Sequence, residues 1–267
     1  MKNLLFIFGV SLLIFSCSSD GLEDTSKTEE PFSYKNGNLS TGKVSSTGLV
    51  APTGFEFSEI PAGSEGMLNA FYLNWSEPAK HTVSDDFIIP PNESWKIDNF
   101  SFFIMNPDIL PNSTSYIKTL VLEIYDGDPK LSTSKKVYGN MNDNLFKSIT
   151  STNIYRVNHL TTSSTMNQQA KLVYKVDTSL KDLNLQSGRY WYKMTLKFNY
   201  GDDWFWFVPR LPVGVNDVNA FNAYYRFESN GDIVTGDQGF TAPGIPVQPP
   251  YVKYETPFEI SGIKTIN

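Results

Sequence analysis

In 267 residues the chain holds one cysteine and two histidines. A single cysteine excludes an intrachain disulfide and a thiolate zinc centre. His81 and His159 are far apart in the sequence, and no serine sits in a G-x-S-x-G elbow. A Ser-His nucleophilic site therefore has no local support. Zinc needs three or four Cys, His or acidic ligands, which this supply of Cys and His does not provide. Basic residues are also sparse: 22 Lys and Arg stand against 28 Asp and Glu, giving a formal net charge of −6. They gather nowhere into the patch that phosphate neutralisation requires, so nucleic acid is excluded as a partner. Helical periodicity is missing too. "TMNQQAK" is the nearest candidate, and it is too short and polar.

What the chain does have begins with "MKNLLFIFGVSLLIFSCSSD". Lys2 is a positive n-region, and Leu4 to Phe15 is an apolar run of 12 residues. A bilayer span needs about 20 such residues, so residues 1–16 are a signal peptide, set aside from the fold. Cys17 follows directly and resembles the lipobox cysteine of bacterial lipoproteins. Ile14 and Ser16 fit that pattern, while Phe15 is bulkier than the usual residue. The resemblance implies that Cys17 is acylated and becomes the mature N-terminus. It also implies a membrane partner through the lipid anchor and, with Ser18 and Ser19, an outer-membrane location. The cell surface is the expected side and the periplasmic face the alternative. Acylation would leave the mature chain with no thiol.

Residues 17–47 are rich in Ser, Thr, Gly and acids, and within them "SSDGLEDTSKTEEP" sets Asp20, Glu23, Asp24, Glu29 and Glu30 against Lys27 alone. Such a segment buries too little to offset its ordering entropy, so it is expected to be a flexible acidic tether. Its root-mean-square reach is roughly 30 Å. Residues 48–267 are expected to form a single domain, since no internal repeat divides them.

That domain reads as all-β. Runs rich in aromatic and β-branched residues recur between Asn, Gly, Pro and Ser punctuation. In "RYWYKMTLKFN", Tyr190, Tyr192, Met194, Leu196 and Phe198 share one face. Trp191, Lys193, Thr195, Lys197 and Asn199 share the other, which predicts a half-buried strand. Further strands are expected in "GFEFSEI", "NAFYLNW", "DDFIIP", "SWKIDNFSFFIM", "YIKTLVLEIYD", "KKVYGN", "TNIYRV", "KLVYKVD", "WFWFVP" and "YYRFES". Gly236 to Pro250 is too dense in Gly and Pro for a central strand and reads as a loop before a last strand in "YVKYETPFEIS". Two antiparallel sheets face to face, a jelly-roll-like β-sandwich, is the economical architecture.

Four phrases, "VSDDFIIPPNESWKIDNFSFFIM", "LVLEIYDGDPKLSTSKKVYGN", "TNIYRV" and "SGRYWYKMTLKF", together resemble a β-sandwich domain of secreted bacterial proteins. In that family a DDF strand precedes a proline and a W-x-I strand, then an aromatic strand and one ending in an Asp-Gly turn. The likeness covers about Val83 to Pro209, and the Asn-, Lys-, Tyr- and Phe-rich composition resembles that of Bacteroidota proteins. It implies the sandwich and no particular activity.

The candidate ligand site lies in "NYGDDWFWFVPR". If this stretch is the return arm of a hairpin after Asn199, then Trp204 and Trp206 share a face, near Trp191, with Asp202 and Asp203 at the tip. Trp faces stack on the C–H faces of sugars while acids bond their hydroxyls, which suits a glycan. Asp85 with Asp86, Asp126 with Asp128, and Asp202 with Asp203 are also the carboxylate pairs a glycoside hydrolase would need. Adjacent strand residues point apart, however, and acids commonly cap turns. "YDGDP" puts Asp126 and Asp128 on one tight loop, a candidate structural calcium site and the chain's one candidate cofactor. The expectation is thus a non-catalytic envelope lipoprotein that binds a glycan or a partner surface protein. A glycan-active hydrolase and a purely structural, adhesin-like module are the alternatives.

Overall fold

The computed structural model describes residues 27–60, 70–73, 75–76, 79–105, 117–198, 206–209, 211, 223–229, 232–236 and 255–267. In chain order the strands are β1 (Thr28–Lys35), β2 (Glu56–Ile60), β3 (Ala70–Leu73), β4 (Trp75–Ser76), β5 (Ala79–Ile89), β6 (Glu93–Met105), β7 (Ile117–Tyr125) and β8 (Lys136–Tyr138). They continue as β9 (Phe146–Asn158), β10 (Lys171–Thr178), β11 (Leu183–Leu185) and β12 (Gly188–Phe198). The last are β13 (Trp206–Pro209), β14 (Tyr224–Ser229), β15 (Asp232–Gly236) and β16 (Phe258–Ile266). One helical turn, α1 (Met166–Gln169), precedes β10.

Two sheets result. The nine-stranded sheet runs β1-β16-β6-β10-β9-β2, with β11 and β13 on β6 and β3 on β13. The seven-stranded sheet runs β15-β14-β5-β12-β7-β8, with β4 on β5. The chain goes from β5 in one sheet to β6 in the other, back to β7, and over to β9. Returning strands then insert between earlier ones: β10 enters between β6 and β9, and β12 between β5 and β7. This interleaving makes a jelly-roll-like β-sandwich. Among the described residues, strand pairing is antiparallel apart from β2, which lies parallel to β9.

The core is aromatic and is shared by both sheets. Phe100 and Phe102 of β6, Phe258 of β16 and Tyr192 of β12 have ring centroids 4.8 to 5.3 Å apart. Stacked and edge-on pairs of this kind add about 0.5–1.5 kcal/mol each beyond the burial of their area. A bulge keeps β6 facing that core along its length. Asn99 pairs with Ser261 but Ile97 pairs with Gly262, so Asp98 is the extra residue. Trp95 and Ile97 before the bulge thereby share a side with Phe100, Phe102 and Ile104 after it. The strand can close there because residue 262 is glycine: an added Cβ would lie 2.0 Å from the Lys96 carbonyl oxygen.

Three expectations need correction. Residues 28–47 are part of the domain, not of a tether: β1 pairs with β16 along its whole length, and Leu39 and Ser45 are buried. The acids of β1, Glu29 and Glu30, are exposed, while Phe32 and Tyr34 alternate with the exposed Ser33 and Lys35 and pack on Trp95, at centroid distances of 4.4 and 5.7 Å. An edge strand needs only that one apolar side. Second, β12 and β13 are not the arms of a hairpin. Both edges of β12 are taken by β5 and β7, and β13 pairs with β3 and β6 in the other sheet. Third, the second face of β12 is not a polar, solvated one. Trp191 and Thr195 are buried there, as are Thr82, Ser84, Val121 and Glu123 on the neighbouring strands of that face.

Candidate functional site

Among the residues singled out from sequence, Cys17, Asp202, Asp203 and Trp204 lie outside the described residues. Trp206 begins β13, with Leu73 as its register partner. Trp191 belongs to the opposite sheet and is only 6% exposed, so it offers no open ring for stacking. The tryptophan platform is therefore not assembled by Trp191 and Trp206. Asp126 and Asp128 close the loop between β7 and β8. Asp126 Oδ1 accepts the Lys135 N–H at 2.6 Å, and Asp128 Oδ1 accepts the Lys130 N–H at 2.9 Å. The Asp128 carbonyl also accepts from Ser134 Oγ at 2.6 Å. Each carboxylate thus commits an oxygen to the backbone, as turn acids do.

Carboxylates converge instead between the sheets. One oxygen each from Asp85, Asp86 and Glu255 lie within 4.8 Å of one another, the arrangement among the described residues that could hold a metal ion. Asp85 is fully buried. Its Oδ2 accepts from the Thr256 N–H and Oγ1, both at 2.7 Å, and from Asn36 Nδ2 at 3.3 Å. Its Oδ1 accepts the Asp86 N–H at 2.8 Å. Asn36 Nδ2 also donates to Glu255 Oε2 at 2.7 Å and to the Thr256 carbonyl at 3.0 Å. Tyr192 OH pairs with Thr256 Oγ1. Asp86 also meets Arg189 Nε at 2.9 Å.

Burial, and then the charge of Glu255, push the Asp85 carboxyl well above its ordinary range, against the opposing pull of the donors from Thr256 and Asp86. The same surroundings raise the phenols of Tyr34 and Tyr192, burial first and the Asp85 charge next. Three donors already crowd Asp85 Oδ2, while Oδ1 accepts one. All three acids are at most 5% exposed, so a glycosidic bond cannot reach them. The cluster has a structural consequence. It ties β5 of one sheet to the segments that leave β1 and enter β16 of the other.

An accessible site lies on the outward face of the nine-stranded sheet. Lys35, Glu259, Ser101, Asp177 and Ser148 are successive register partners on β1, β16, β6, β10 and β9. Four interstrand steps make this polar row about 19 Å long. Ser101 Oγ and Ser148 Oγ donate to Asp177 at 2.6 and 3.2 Å. Glu259 receives Lys35 Nζ at 2.9 Å on one oxygen and Lys175 Nζ at 2.6 Å on the other. Burial lifts the proton affinity of Glu259, but the bonds from Lys175 and then Lys35 outweigh it and hold the carboxyl below its usual range. Beside the row is a groove of about 360 Å³ between the segment after β1 and strands β9 and β10. Leu39, Phe103 and Ile154 give it an apolar floor; Thr150, Ser151 and Thr152 line its rim along with Lys35, Lys175 and Glu259.

No protein-family model matches the chain, and no curated protein matches it either. The groove is hard to see in the sequence because Lys35 and Asn38 fall in the acidic segment. A usable signal is present in "KLVYKVD", where Lys175 and Asp177 alternate with the buried Tyr174 and Val176. That alternation marks β10 as having one solvated, charged face.

Proposed function

We propose that this protein is a non-catalytic cell-envelope lipoprotein, anchored through Cys17, whose β-sandwich binds an extracellular glycan. The groove on the nine-stranded sheet carries this reading. It sets hydroxyl, ammonium and carboxylate groups that suit sugar hydroxyls around the partly exposed Ile154, the apolar contact that a sugar's C–H face could reach. The polar row beside it crosses five strands, and its accessible members, Lys35, Glu259, Asp177 and Ser148, flank the fully buried Ser101. The test is affinity electrophoresis of the full-length protein in detergent through gels containing defined polysaccharides. Wild type is expected to be retarded by at least one polymer, and Thr152→Val with Lys175→Met to abolish the retardation. Equal mobility in every gel defeats the reading. Metabolic labelling with a fatty acid analogue tests the anchor: Cys17→Ala is expected to remove the label, and a label that persists refutes acylation at that residue.

A partner surface protein is the second reading, favoured by one patch. Val44, Val50 and Leu160 are 56%, 65% and 60% exposed. Leu160 lines a second hollow, of about 370 Å³, formed by residues 47–49 and 159–163. Val50→Asp is expected to leave glycan retardation unchanged, so the two surfaces separate experimentally.

A further inference from the structure

We propose that one end of the sandwich, the end carrying Ile88, Leu131, Val137 and Ile266, rests on the lipid surface to which Cys17 is anchored. The inference rests on the anchored reading above and adds to it which end of the domain meets the bilayer. Ten residues, 18–27, separate Cys17 from the start of β1 at Thr28. From Cys17 to Thr28 is eleven Cα steps, which span at most about 40 Å in any conformation. A coil of that length has a root-mean-square reach of roughly 18 Å. The sandwich is itself about 40 Å long, since β6 has 13 residues rising ~3.3 Å each. If its far end touched the lipid with the strands upright, Thr28 would stand a whole domain length above the surface. The connecting residues would then be fully drawn out. With the Thr28 end down, they keep most of their slack.

Strand register shows what else lies at that end. Thr28 and Glu93 both pair with Ile266, and the Asn267 N–H donates to the Asn92 carbonyl at 2.9 Å. The turn between β5 and β6 therefore sits beside the start of β1. Ile89 of β5 pairs with Gly188, and Tyr125 pairs with Trp191 a few residues along β12. β7 thus runs towards this end, and the loop that carries Leu131 leaves from it. Lys136 and Tyr138, on either side of Val137, pair with Tyr125 and Ile124. Ile88, Leu131, Val137 and Ile266 are 38–58% exposed, and the β5–β6 turn adds the exposed Pro90 and Pro91. Large apolar side chains left in water around the end nearest an acyl anchor are what a lipid interface would cover. The groove is placed differently. Lys35 is seven residues along β1 from Thr28, about 23 Å, which holds it clear of the headgroups when this end is down.

Acylation of the one cysteine leaves no other thiol, so a single introduced cysteine can carry a fluorophore. The experiment reconstitutes the full-length protein in phosphatidylcholine vesicles containing nitroxide-labelled lipid. Pro91→Cys carries the label at the anchored end. Thr47→Cys carries it at the other end, where Thr47 lines a hollow with residues 159–163 beyond β9. The nitroxide is expected to quench the label at Pro91→Cys and to spare the one at Thr47→Cys. Ser132→Cys, in the loop after β7, replaces Pro91→Cys should that variant prove misfolded by circular dichroism. Adding Ile88→Ser and Leu131→Ser is expected to remove most of the quenching while the protein still floats with the vesicles. Salt is expected to leave the quenching unchanged, because the contact is apolar. Equal quenching at the two ends, or none at Pro91→Cys in protein that floats, overturns the docking and leaves the anchor intact. Protein that fails to float overturns both.

Discussion

Asp85 and Glu123 are both buried strand carboxylates of the seven-stranded sheet, at 0% and 3% exposure, yet their proton affinities move in opposite directions. Asp85 looks inward, towards the other sheet, with Glu255 nearby; the partners on its oxygens are an amide, a hydroxyl and backbone N–H groups. Glu123 looks outward, where Lys136 reaches it at 2.9 Å, Lys193 at 3.3 Å and the Tyr125 hydroxyl at 2.8 Å. Burial raises Glu123 as it raises Asp85. The bonds from Lys136 and Tyr125 and the charge of Lys193 then more than reverse that effect, leaving Glu123 below its ordinary value. Burial alone therefore does not set the sign; the partners do. The inward acids hold strands together through neutral donors. The outward ones, Glu259 among them, are parts of charge networks.

The sharpest way to break this comparison is at Asp85. Asp85→Ala strands the Thr256 N–H and hydroxyl, the Asn36 amide and the Asp86 N–H inside the sandwich. It is expected to cost ~3–5 kcal/mol, the scale for removing one member of a buried polar cluster. In thermal unfolding that is a drop of roughly 10 °C for a domain of this size. Asp85→Asn keeps an acceptor for Thr256 and is expected to lose less than half as much. Equal losses in the two variants would show that shape, not hydrogen bonding, is what Asp85 supplies.

Glu123→Gln is next in size. It leaves Lys193, whose side chain is 12% exposed, without its carboxylate. The expected loss is about 1–3 kcal/mol, with Lys136→Met costing less because its side chain is 41% exposed. Chemical denaturation of the two variants measures the difference. A larger loss at Lys136 would reverse the assignment of which lysine holds the buried charge.

These clusters also show what can be read along a chain and what cannot. The alternation in β12 is legible because it depends on neighbours two residues apart. The jelly-roll-like sandwich follows from many such runs between turn residues. The partner of each strand is not legible. β13 has the composition of a hairpin arm, but its hydrogen bonds go to β3 and β6, a choice fixed by distant pairing. Asp85 and Asp86 read as turn acids because what makes them structural is remote: Asn36 is 49 residues from Asp85 and Thr256 is 171. β1 is hidden by its own acids, since only Phe32 and Tyr34 carry its inward side. Trp191 looks exposed in the sequence because it alternates with lysines. Only the packing on the outward face reveals that Trp191→Ala would weaken the fold.

The two groups of carboxylates should separate again with pH. The raised carboxyl of Asp85 stabilises the fold fully below the ordinary aspartate value of 3.8, and that contribution is lost as pH climbs through its native value. For Glu123 and Glu259 the sign is opposite. Their contribution is complete above the ordinary glutamate value of 4.5 and is lost as pH falls through their depressed values. Acidifying from about pH 7 to about pH 5 should thus favour the fold through Asp85 and leave the glutamate contributions in place. His81 pulls the other way. Burial lowers it to about 4, so below its ordinary 6.5 the unfolded chain takes up a proton that the native one does not. That term is common to wild type and Asp85→Asn, and the difference between them removes it. Calorimetry over this range should therefore show the wild type gaining on Asp85→Asn as pH falls. Parallel curves would assign the proton to another group.

The smallest expected effect is at Glu259, and its smallness is informative. Lys35 is largely exposed and Lys175 partly so, which places this network in solvent that screens it. Glu259→Gln should therefore cost no more than about 1 kcal/mol, as exposed ion pairs do, and less still at high salt. The same substitution removes a charge as Asp85→Asn does, yet the amide it introduces has one oxygen to offer two lysines. If the outward network is there for a ligand, the change should be small in unfolding and clear in polysaccharide binding. Should Glu259→Gln instead unfold the protein as readily as Asp85→Ala does, the row on the nine-stranded face would be a second structural clasp, and the groove beside it would lose its claim to be the binding site.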